Sequence, residues 1–341
     1  IADRKKKLAR LKSEGVEAYP IQTKRTHRMG DVLADFAKLE KGKKSVAVAG
    51  LVMGLRDMGN VIFADVADES GKLQLVLKKD NLANFAIAKA TTDRGDFVAA
   101  SGALFVTKTK EKSIEAKSFT MLAKSVRPLP DKWAGLEDVE TRLRERYLDL
   151  LAHPVTADMF RKKAIFWDTF RAAMKREGFL EVDMPVLESV PGGAEAEPFV
   201  TRHNALDTDF YLRISLELPL KKMLVAGYEK VFELGRVFRN EGIDKDHLQD
   251  YTQLEFYWAY SDYEELMKFT EKLYKEVIKT TTGSLTTTYE NRKINWGKKW
   301  GRVDYVDAFA QAADLNPLAA TRDQLFAKAQ KLGLKPEPEF G

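Results

Sequence analysis

Between residues 45 and 124 the chain repeats one pattern that few folds can use, in which short apolar or alternating runs are separated by turn residues. The five runs cover residues 46–52, 61–66, 73–77, 97–106 and 113–122. Gly59-Asn60, Ser70-Gly71 and Arg94-Gly95-Asp96 lie between them, and residues of these types favour tight turns. A helical insert is predicted at residues 82–89. Five short strands with one helix indicate a small closed β-barrel.

Helices and strands mix after the barrel, beyond a linker that Pro128 and Pro130 mark. Helices are predicted at residues 136–151, 155–176, 217–226, 262–279 and 322–332, and strands at 179–182, 230–238 and 253–260. The chain is therefore predicted to be an α+β multidomain protein. We expect an N-terminal helix and lead-in at residues 1–44, the barrel at 45–126, a helical hinge at 127–153 and a second domain at 154–341.

Composition excludes several classes of protein. The chain has no cysteine, so it has no disulfide, thiolate metal site or cysteine nucleophile. Its four histidines lie far apart in sequence and give a zinc site no local support. No apolar run approaches the length of a membrane span, and no apolar stretch follows the basic N-terminus as it does in a signal peptide. We therefore expect a cytoplasmic protein with no membrane partner.

Charge is distributed unevenly along the chain. Residues 1–130 hold 25 Lys and Arg against 15 Asp and Glu, a net charge of +10, whereas residues 131–341 hold 31 against 36, a net charge of −5. A basic first part joined to an acidic remainder indicates a polyanion partner at one end. A solvated basic surface without such a partner is the alternative, and charge alone does not distinguish the two.

The most informative stretch is residues 231–260, which are predicted to form a hairpin. The chemically active side chains on it are Arg239, Glu241, His247, Tyr251, Glu255 and Tyr257. Residues two apart share one strand face, so Arg239 and Glu241 are expected to point into one cleft. Glu255 and Tyr257 are paired in the same way on the return strand, whereas Arg236 has the opposite parity and should face away.

Such a cleft combines groups that suit a nucleotide. A guanidinium binds phosphate or carboxylate through two hydrogen bonds, an imidazole can meet a further phosphate, and an aromatic ring can stack on a base. For an isolated Arg-x-Glu we would prefer the alternative of exposed cross-strand ion pairs, which are common in any sheet. The full string is much more specific than such a pair.

This string resembles the second signature motif of the class II aminoacyl-tRNA synthetases, in which an Arg-x-Glu and a loop precede a His or Arg and then an aromatic residue. Here it appears as Arg239-Asn240-Glu241 and His247-x-x-x-Tyr251. The first signature motif, a long helix followed by a strand and a proline, is similar to residues 161–185. In that family the first motif implies a homodimer.

Further strings resemble the lysyl-tRNA synthetases in particular. They are Arg127-Pro128-Leu129-Pro130-Asp131-Lys132, Arg146-Tyr147-Leu148-Asp149-Leu150, Pro191-Gly192-Gly193-Ala194, His203-Asn204-Ala205-Leu206-Asp207 and Tyr211-Leu212-Arg213-Ile214. The resemblance implies a five-stranded oligonucleotide-binding (OB) fold barrel followed by an antiparallel-sheet catalytic domain. It also implies a lysine–tRNA ligase, which activates L-lysine with ATP to lysyl-adenylate and transfers the lysyl group to the 3′ end of tRNA(Lys).

The resemblance assigns a role to each residue of the hairpin and its surroundings. Arg239 would hold the α-phosphate of ATP and the lysine carboxylate, and it is the catalytic residue. Glu241 would contact the adenine edge, Tyr251 would stack on the adenine ring, and His247 would meet the terminal phosphates. These assignments agree with the chemistry of the groups, because charge builds up as the carboxylate attacks phosphorus.

Besides Arg239, four residues are implied to bind the amino acid. Gly193 and Glu217 would bind its α-amino group, and Glu255 and Tyr257 would bind its ε-ammonium. A cationic side chain entering a pocket needs a carboxylate partner, because an unpaired buried charge is very costly. Two simpler readings stay open, since Glu217 also suits a helix dipole and Tyr257 also suits a core position.

Four residues of the barrel are implied to read the anticodon of tRNA, namely Arg56, Phe63, Gln74 and Glu111. Single-stranded bases are read by aromatic stacking and hydrogen bonds, which suits these side chains. The alternative for Phe63 is a plain position in the barrel core.

The third signature motif of the family, a Gly-x-Gly-x-Asp-Arg helix start, does not occur in this chain. The carboxylates that hold the catalytic Mg²⁺ in the family are accordingly expected beyond residue 341, and no metal site is expected in the chain itself. Residues 1–341 should then bind tRNA without supporting lysine-dependent ATP–pyrophosphate exchange. Two rival functions remain, a non-catalytic tRNA- or protein-binding paralogue and a lysyl transferase to another acceptor.

Overall fold

A computed structural model describes residues 1–129, 136–242, 244 and 247–336 of the chain. They belong to two units, Ile1–Pro154 and Val155–Gly341. Pro130, in the predicted linker, lies outside the described residues, and so does the end of the string at residues 127–132. In the part of the chain that is described, no helix is both long and apolar enough to cross a membrane. The finer division into four segments stays a prediction.

The predicted five-stranded barrel of the first unit is confirmed. Its strands are β1 (Val46–Asp57), β2 (Val61–Asp68), β3 (Gly71–Lys78), β4 (Phe97–Val106) and β5 (Lys112–Ala123). They close in the order β1-β2-β3-β5-β4, and only β3 and β5 pair in parallel. The helical insert, α4 (Phe85–Thr91), begins and ends slightly later than predicted.

Alternation along the strands decides which side chains fill the barrel. On β2, Ile62, Ala64 and Val66 are buried, whereas Phe63 and Asp65 are only half-buried on the outer face. Three helices precede the barrel and add apolar residues to its core: α1 (Ala2–Ser13), α2 (Met29–Ala34) and α3 (Phe36–Lys41). Phe63 is therefore not part of the barrel core.

The predicted single helix at residues 136–151 is wrong, because the chain leaves the helical conformation at Glu145. Two short helices result, α5 (Val139–Arg144) and α6 (Arg146–Ala152). The break lets Asp149, which is fully buried, accept hydrogen bonds from Arg142 Nε at 2.7 Å and from Arg146 Nη1. A buried carboxylate needs such cationic partners, and this pairing accompanies the break.

The second unit mixes helices with small sheets. Its helices are α7 (Pro154–Arg176), α8 (Glu217–Val225), α9 (Tyr263–Thr282), α10 (Tyr305–Ala313) and α11 (Arg322–Lys331). Its strands are β6 (Leu180–Glu181), β7 (Leu187–Glu188), β8 (Val200–His203), β9 (Thr208–Leu212), β10 (Lys230–Phe238), β11 (Asp250–Trp258), β12 (Thr286–Tyr289) and β13 (Arg292–Asn295). They form sheets in the orders β11-β10-β6, β7-β9-β8 and β12-β13.

The predicted hairpin at residues 231–260 is the antiparallel pair β10–β11, in which Glu233 faces Glu255 and Val237 faces Tyr251. Its even-numbered residues, such as Phe232 and Phe256, pack with α7 and α9. Its odd-numbered residues pack with the start of α8. The two faces of one hairpin thus serve different purposes, a core on one side and the candidate site on the other.

Several elements of the second unit are too short or too unusual for sequence patterns to predict. Strands of two to five residues, such as β7 and β9, carry no measurable periodicity. In the β12–β13 hairpin the turn residues Glu290 and Asn291 both have positive φ, at 46° and 64°. A two-residue hairpin turn with both φ values positive usually has the sequence Asn-Gly, so Glu290-Asn291 does not predict this turn.

The Asp149 cluster makes stability depend on pH. Burial opposes ionisation of Asp149, but hydrogen bonds from Arg142, Arg146 and His153 outweigh it and lower its pKa from 3.8 to about 2. A lowered pKa stabilises the folded chain above the ordinary pKa, and that stabilisation is lost as the pH falls through the lowered value. Asp149→Asn should therefore reduce the free energy of unfolding most at neutral pH and progressively less toward pH 2.

Urea denaturation between pH 2 and pH 6 measures this effect, and Asp158→Asn is the matched control. Asp158 lies on an exposed face of α7 and pairs with Lys162 at 2.8 Å, so its loss should change stability little at any pH. A destabilisation by Asp149→Asn that is constant across the range would contradict the prediction.

Candidate functional site

A buried ion pair joins the parts of the second unit that surround the site. Arg213, just after β9, lies 2.6 Å from Glu233 on β10, and both side chains are almost fully buried. The guanidinium also donates to the carbonyls of Arg236 and Met184, at 2.8 and 3.0 Å, and the Met184 amide donates to Glu233 at 3.2 Å. The sheet β7-β9-β8 is thereby tied to β10. Burial raises the pKa of Glu233, and Arg213 opposes that shift.

Gly235 makes room for this pair. A Cβ atom at Gly235 would collide with the guanidinium of Arg213 and lie 2.6 Å from Glu233 Oε1. The β10 strand therefore needs a residue without a side chain at this position. The strings Tyr211-Leu212-Arg213-Ile214 and Phe232-Glu233-Leu234-Gly235 meet here in space, which sequence reasoning did not foresee.

A cavity of about 370 Å³ lies at the end of the hairpin. We call it the arginine cavity, and it is lined by Arg239, Glu241, Gly242, His247, Leu248, Gln249 and Tyr251. The four residues predicted to bind ATP are all among them. The reason given from strand parity is wrong for Arg239 and Glu241, since β10 ends at Phe238 and both residues reach the cavity from the loop beyond it. Arg236 lies outside the cavity lining and pairs with Asp250 at 2.9 Å.

Arg239 contacts two other segments of the chain, one at Ile214 and one at residues 249–251. Its guanidinium carbon lies 5.7 Å from the centre of the Tyr251 ring, within cation–π range. Its Nε donates to the Ile214 carbonyl at 3.4 Å, and its backbone amide donates to the Gln249 carbonyl at 2.8 Å. The last bond closes the loop, so the position of Arg239 is set by main chain as well as by side chain.

The outer wall of the arginine cavity is polar and open to solvent. Glu241 and His247 are exposed, and His247 Nδ1 lies 2.7 Å from a carboxylate oxygen of Asp244. Asp244 also accepts a hydrogen bond from the His247 amide at 2.7 Å. This wall thus offers one imidazole and the Glu241 carboxylate to whatever enters the cavity, while Asp244 holds the imidazole from outside the lining.

A second group of residues lies where the start of α8 meets the odd-numbered side of the hairpin. We call it the acidic pocket, formed by Gly193, Ser215, Glu217, Glu255 and Tyr257. Glu255 Oε1 accepts hydrogen bonds from Ser215 Oγ at 3.0 Å and from the Leu216 amide at 3.3 Å. The Glu217 amide in turn donates to Ser215 Oγ at 3.1 Å. Ile214, which contacts Arg239, directly precedes Ser215, so the cavity and the pocket meet at this segment.

Gly193 and Tyr257 complete the acidic pocket. Gly193 has φ of +88°, and a Cβ atom there would lie 3.0 Å from both Ser215 Oγ and Glu217 Cβ, so glycine is needed for conformation and for space. Burial raises the pKa of Tyr257 to about 12, and the carboxylates of Glu217 and Glu255 act in the same direction. Tyr257 is thus a neutral hydroxyl close to two negative charges.

The structure places Gly193, Glu217, Glu255 and Tyr257 of the predicted amino-acid site together, next to the segment that Arg239 contacts. It adds two residues that sequence reasoning missed. Ser215 holds Glu255 in place, as described above. Lys221 lies one helical turn after Glu217, with its Nζ 2.6 Å from Glu217 Oε1 and 5.9 Å from the centre of the Tyr257 ring. The spacing of four residues between Glu217 and Lys221 was a signal that could have identified the pair.

The barrel of the first unit carries a separate groove of about 480 Å³ on its outer face. We call it the barrel groove, and its lining includes Arg56, Phe63, Gln74, Lys78, Phe105 and Lys108. Arg56 and Phe63 face each other across β1 and β2, with the guanidinium 5.8 Å from the ring centre. Gln74 is buried, and its Oε1 accepts a hydrogen bond from Ser113 Oγ at 3.1 Å.

Glu111 is the predicted anticodon residue that the groove lining does not include. Its main chain exchanges hydrogen bonds with Thr107, which does line the groove: the Glu111 amide donates to Thr107 Oγ1 at 2.9 Å and the Thr107 amide donates to the Glu111 carbonyl at 2.9 Å. Phe105 and Lys78 were missed, although Lys78 Nζ lies 5.8 Å from the Phe105 ring centre. Two aromatic rings and several cations therefore share this surface.

Comparisons with known proteins identify the family of each unit. The family model of class II tRNA synthetases for D, K and N matches residues 138–333, and the model of the OB-fold nucleic acid binding domain matches residues 46–122. A lysine–tRNA ligase of Clostridium perfringens is 42% identical over 334 residues, 96% of this chain and 66% of the relative. Lysine–tRNA ligases of Roseiflexus castenholzii and Magnetococcus marinus are each 41% identical, over 97% and 100% of this chain and 69% and 70% of the relatives. The chain thus spans about two thirds of the length of these curated relatives.

The Arg213–Glu233 pair generates a prediction about stability. Arg213→Met should lower the free energy of unfolding by about 3–5 kcal/mol, because it leaves the Glu233 carboxylate buried without its partner. The double change Arg213→Met and Glu233→Leu should recover much of that loss, since no buried charge then remains. Urea denaturation of the single and double variants measures both effects.

Arg202→Met is the matched control for this experiment. Arg202 pairs with Asp207 and Asp209 on the exposed β8–β9 hairpin, so losing it should cost less than about 1 kcal/mol. If Arg213→Met is no more destabilising than Arg202→Met, the buried pair does not hold these sheets together.

Proposed function

Since this chain belongs to the class II tRNA synthetases for aspartate, lysine and asparagine, and within them to the lysine–tRNA ligases, we propose that it binds the substrates of lysine–tRNA ligation. In that reaction L-lysine and ATP give lysyl-adenylate and pyrophosphate, and the lysyl group then passes to the 3′ end of tRNA(Lys). The observation that carries the proposal is the acidic pocket, which lies directly beside Arg239.

Lysine is the amino acid that this pocket suits. Its ε-ammonium meets Glu255 and the neutral Tyr257, and its α-ammonium meets Glu217 and the main chain of Gly193. Its carboxylate faces Arg239, which lies at the boundary between the acidic pocket and the arginine cavity. Each charge of the amino acid thereby has an opposite charge next to it, as burial requires. Aspartate would bring a second carboxylate to Glu255 and would be repelled.

ATP occupies the arginine cavity in this proposal. Tyr251 stacks on the adenine ring, Glu241 contacts the adenine edge, and His247 meets the terminal phosphates. A carboxylate oxygen of lysine attacks the α-phosphorus, the bond between that phosphorus and the bridging oxygen breaks, and pyrophosphate leaves with the bonding electrons. Arg239 lowers the barrier because it stabilises the negative charge that develops on the α-phosphate.

Magnesium is implied by the family, but the described residues do not fit it. They include no group of three or more His, Asp or Glu side chains that could hold a metal ion. The roles assigned above accordingly involve only side chains and main-chain groups of the arginine cavity and the acidic pocket.

The barrel groove is proposed to read the anticodon. Phe63 and Phe105 offer ring faces for stacking, Gln74 offers hydrogen bonds, and Arg56, Lys78 and Lys108 attract the phosphates. Glu111 holds the turn that places Thr107 in the groove lining, through its amide hydrogen bond to Thr107 Oγ1. The outward position of Phe63 supports this role over a core role.

We further propose that the chain acts as a cytoplasmic homodimer. Helix α7 supports this with exposed apolar side chains, since Val155, Met159, Phe160 and Ile165 are all at least 42% exposed. An exposed apolar surface of this kind is a feature of association sites.

Glu255→Gln tests the assignment of the amino acid. The change removes the charge that pairs with the ε-ammonium, so the affinity for L-lysine should fall roughly 10- to 100-fold, while the affinity for ATP stays within about 2-fold. Glu241→Gln is the reciprocal control and should weaken ATP binding only. Calorimetric titration with each ligand gives all four affinities. Equal binding of aspartate and lysine by the unsubstituted chain would refute the proposal.

Phe63→Ala tests the anticodon site. Loss of one stacked base should weaken binding of a stem-loop with a uracil-rich anticodon by about 1–3 kcal/mol. The affinity for a stem-loop whose anticodon is already wrong should change much less. Phe97→Ala is the matched control, because Phe97 is an exposed aromatic residue of β4 outside the groove lining. If Phe63→Ala weakens both stem-loops equally, Phe63 does not read a base.

A further inference from the structure

The acidic pocket already contains a lysine side chain of the protein itself. Lys221 places its ammonium 2.6 Å from Glu217 Oε1 and 5.9 Å from the centre of the Tyr257 ring. Glu217 and Tyr257 are the groups that the proposed function assigns to the two ammonium groups of the substrate. Lys221 has the same four-carbon stem and the same charge as that substrate.

The helix that carries Lys221 explains why it reaches this position. Glu217 is the first residue of α8, and Lys221 follows four residues later, so the two side chains lie on one face of the helix. Leu216 and Leu220, both fully buried, anchor this turn against the hairpin. The Lys221 side chain is 53% exposed, so its ammonium can leave Glu217 without disturbing the core.

Resting on the proposed function, we propose that Lys221 is a specificity-determining residue that discriminates against diamines. Lys221 pairs with Glu217 until a ligand arrives, and it cancels one of the two negative charges of the pocket. A ligand must then compete with an ammonium that is already there. The Lys221 ammonium repels both ammonium groups of a diamine, and a diamine has no carboxylate whose attraction to the cations of the site would offset this repulsion.

Counting charges shows which ligands are affected. Glu217 and Glu255 bring two negative charges, and Arg239 and Lys221 bring two positive charges, so the site is neutral with Lys221 and carries one negative charge without it. L-Lysine has a net charge of +1, and its carboxylate is attracted to Arg239 and Lys221. 1,5-Diaminopentane, which is lysine without the carboxylate, has two positive charges and no such attraction. Lys221 should therefore weaken diamine binding more than lysine binding.

The neighbouring Lys222 provides a matched control on the same helix. It acts on Glu188 instead of Glu217: burial raises the pKa of Glu188, while Arg213 and Lys222 oppose that shift. Lys221→Met and Lys222→Met remove the same charge from adjacent positions. They differ in which carboxylate loses a neighbouring ammonium, Glu217 of the acidic pocket or Glu188 outside it.

Calorimetric titration of the chain with L-lysine and with 1,5-diaminopentane tests the proposal at low ionic strength, where charges are least screened. Lys221→Met should bind the diamine about 10-fold more tightly and lysine about 3-fold more tightly than the unsubstituted chain. Lys222→Met should change both affinities by less than about 2-fold, and Lys221→Arg, which keeps the positive charge, should change both affinities less than Lys221→Met does.

Two results would overturn the proposal while leaving the proposed function intact. If Lys221→Met and Lys222→Met change diamine binding equally, the effect is one of overall charge. If Lys221→Met binds lysine more weakly, Lys221 supports Glu217 and does not compete with the ligand. Failure of the proposed function is a different result, because the unsubstituted chain would then show no preference for lysine over aspartate.

Discussion

The buried pair of Arg213 and Glu233 is the interaction on which the second unit depends. The Arg213 guanidinium and the Glu233 carboxylate are both shielded from water, so each needs the other as its ion-pair partner. Burying either charge alone would be very costly. Arg213 also donates to the carbonyls of Met184 and Arg236, so one side chain connects three segments that are distant in sequence. The requirement for Gly235 follows from the same pair, since no other residue leaves space for it.

The site follows from where this pair places residues 213–217. That short segment supplies the Ile214 carbonyl to Arg239, the Ser215 hydroxyl and Leu216 amide to Glu255, and the carboxylate of Glu217 to the acidic pocket. The proposed sites for ATP and for lysine therefore share one structural support. A shift of residues 213–217 would move both sites together. The relative positions of the two substrates of a bimolecular step would then be preserved.

Sequence patterns predicted those elements whose periodicity extends over many residues. The barrel strands and the hairpin β10–β11 were predicted because each is an apolar or alternating run of at least five residues, and α7 and α9 because each has an apolar face and a clear end. The sheet β7-β9-β8 was not predicted, since its strands are too short to show a pattern. Arg239 and Glu241 were expected on one strand face, whereas they reach their cavity from a loop. Lys221 was missed because Glu217 was considered as a ligand-binding group or as a partner of the helix dipole, and not as the partner of a side chain four residues later.

The groups of the candidate site differ from the Arg213–Glu233 pair in that their internal partners can be exchanged. Glu217 is held by an ammonium, His247 by a carboxylate and Tyr251 by a planar guanidinium. Each partner resembles in charge or shape the ligand group proposed for that residue: an amino group, a phosphate and an adenine ring. Binding then replaces one partner of Glu217, His247 or Tyr251 by another, and the displaced side chains Lys221 and Asp244 are exposed enough to be solvated, which lowers the cost of desolvation. The same arrangement makes the site selective, because a ligand has to provide more than the partner that it displaces.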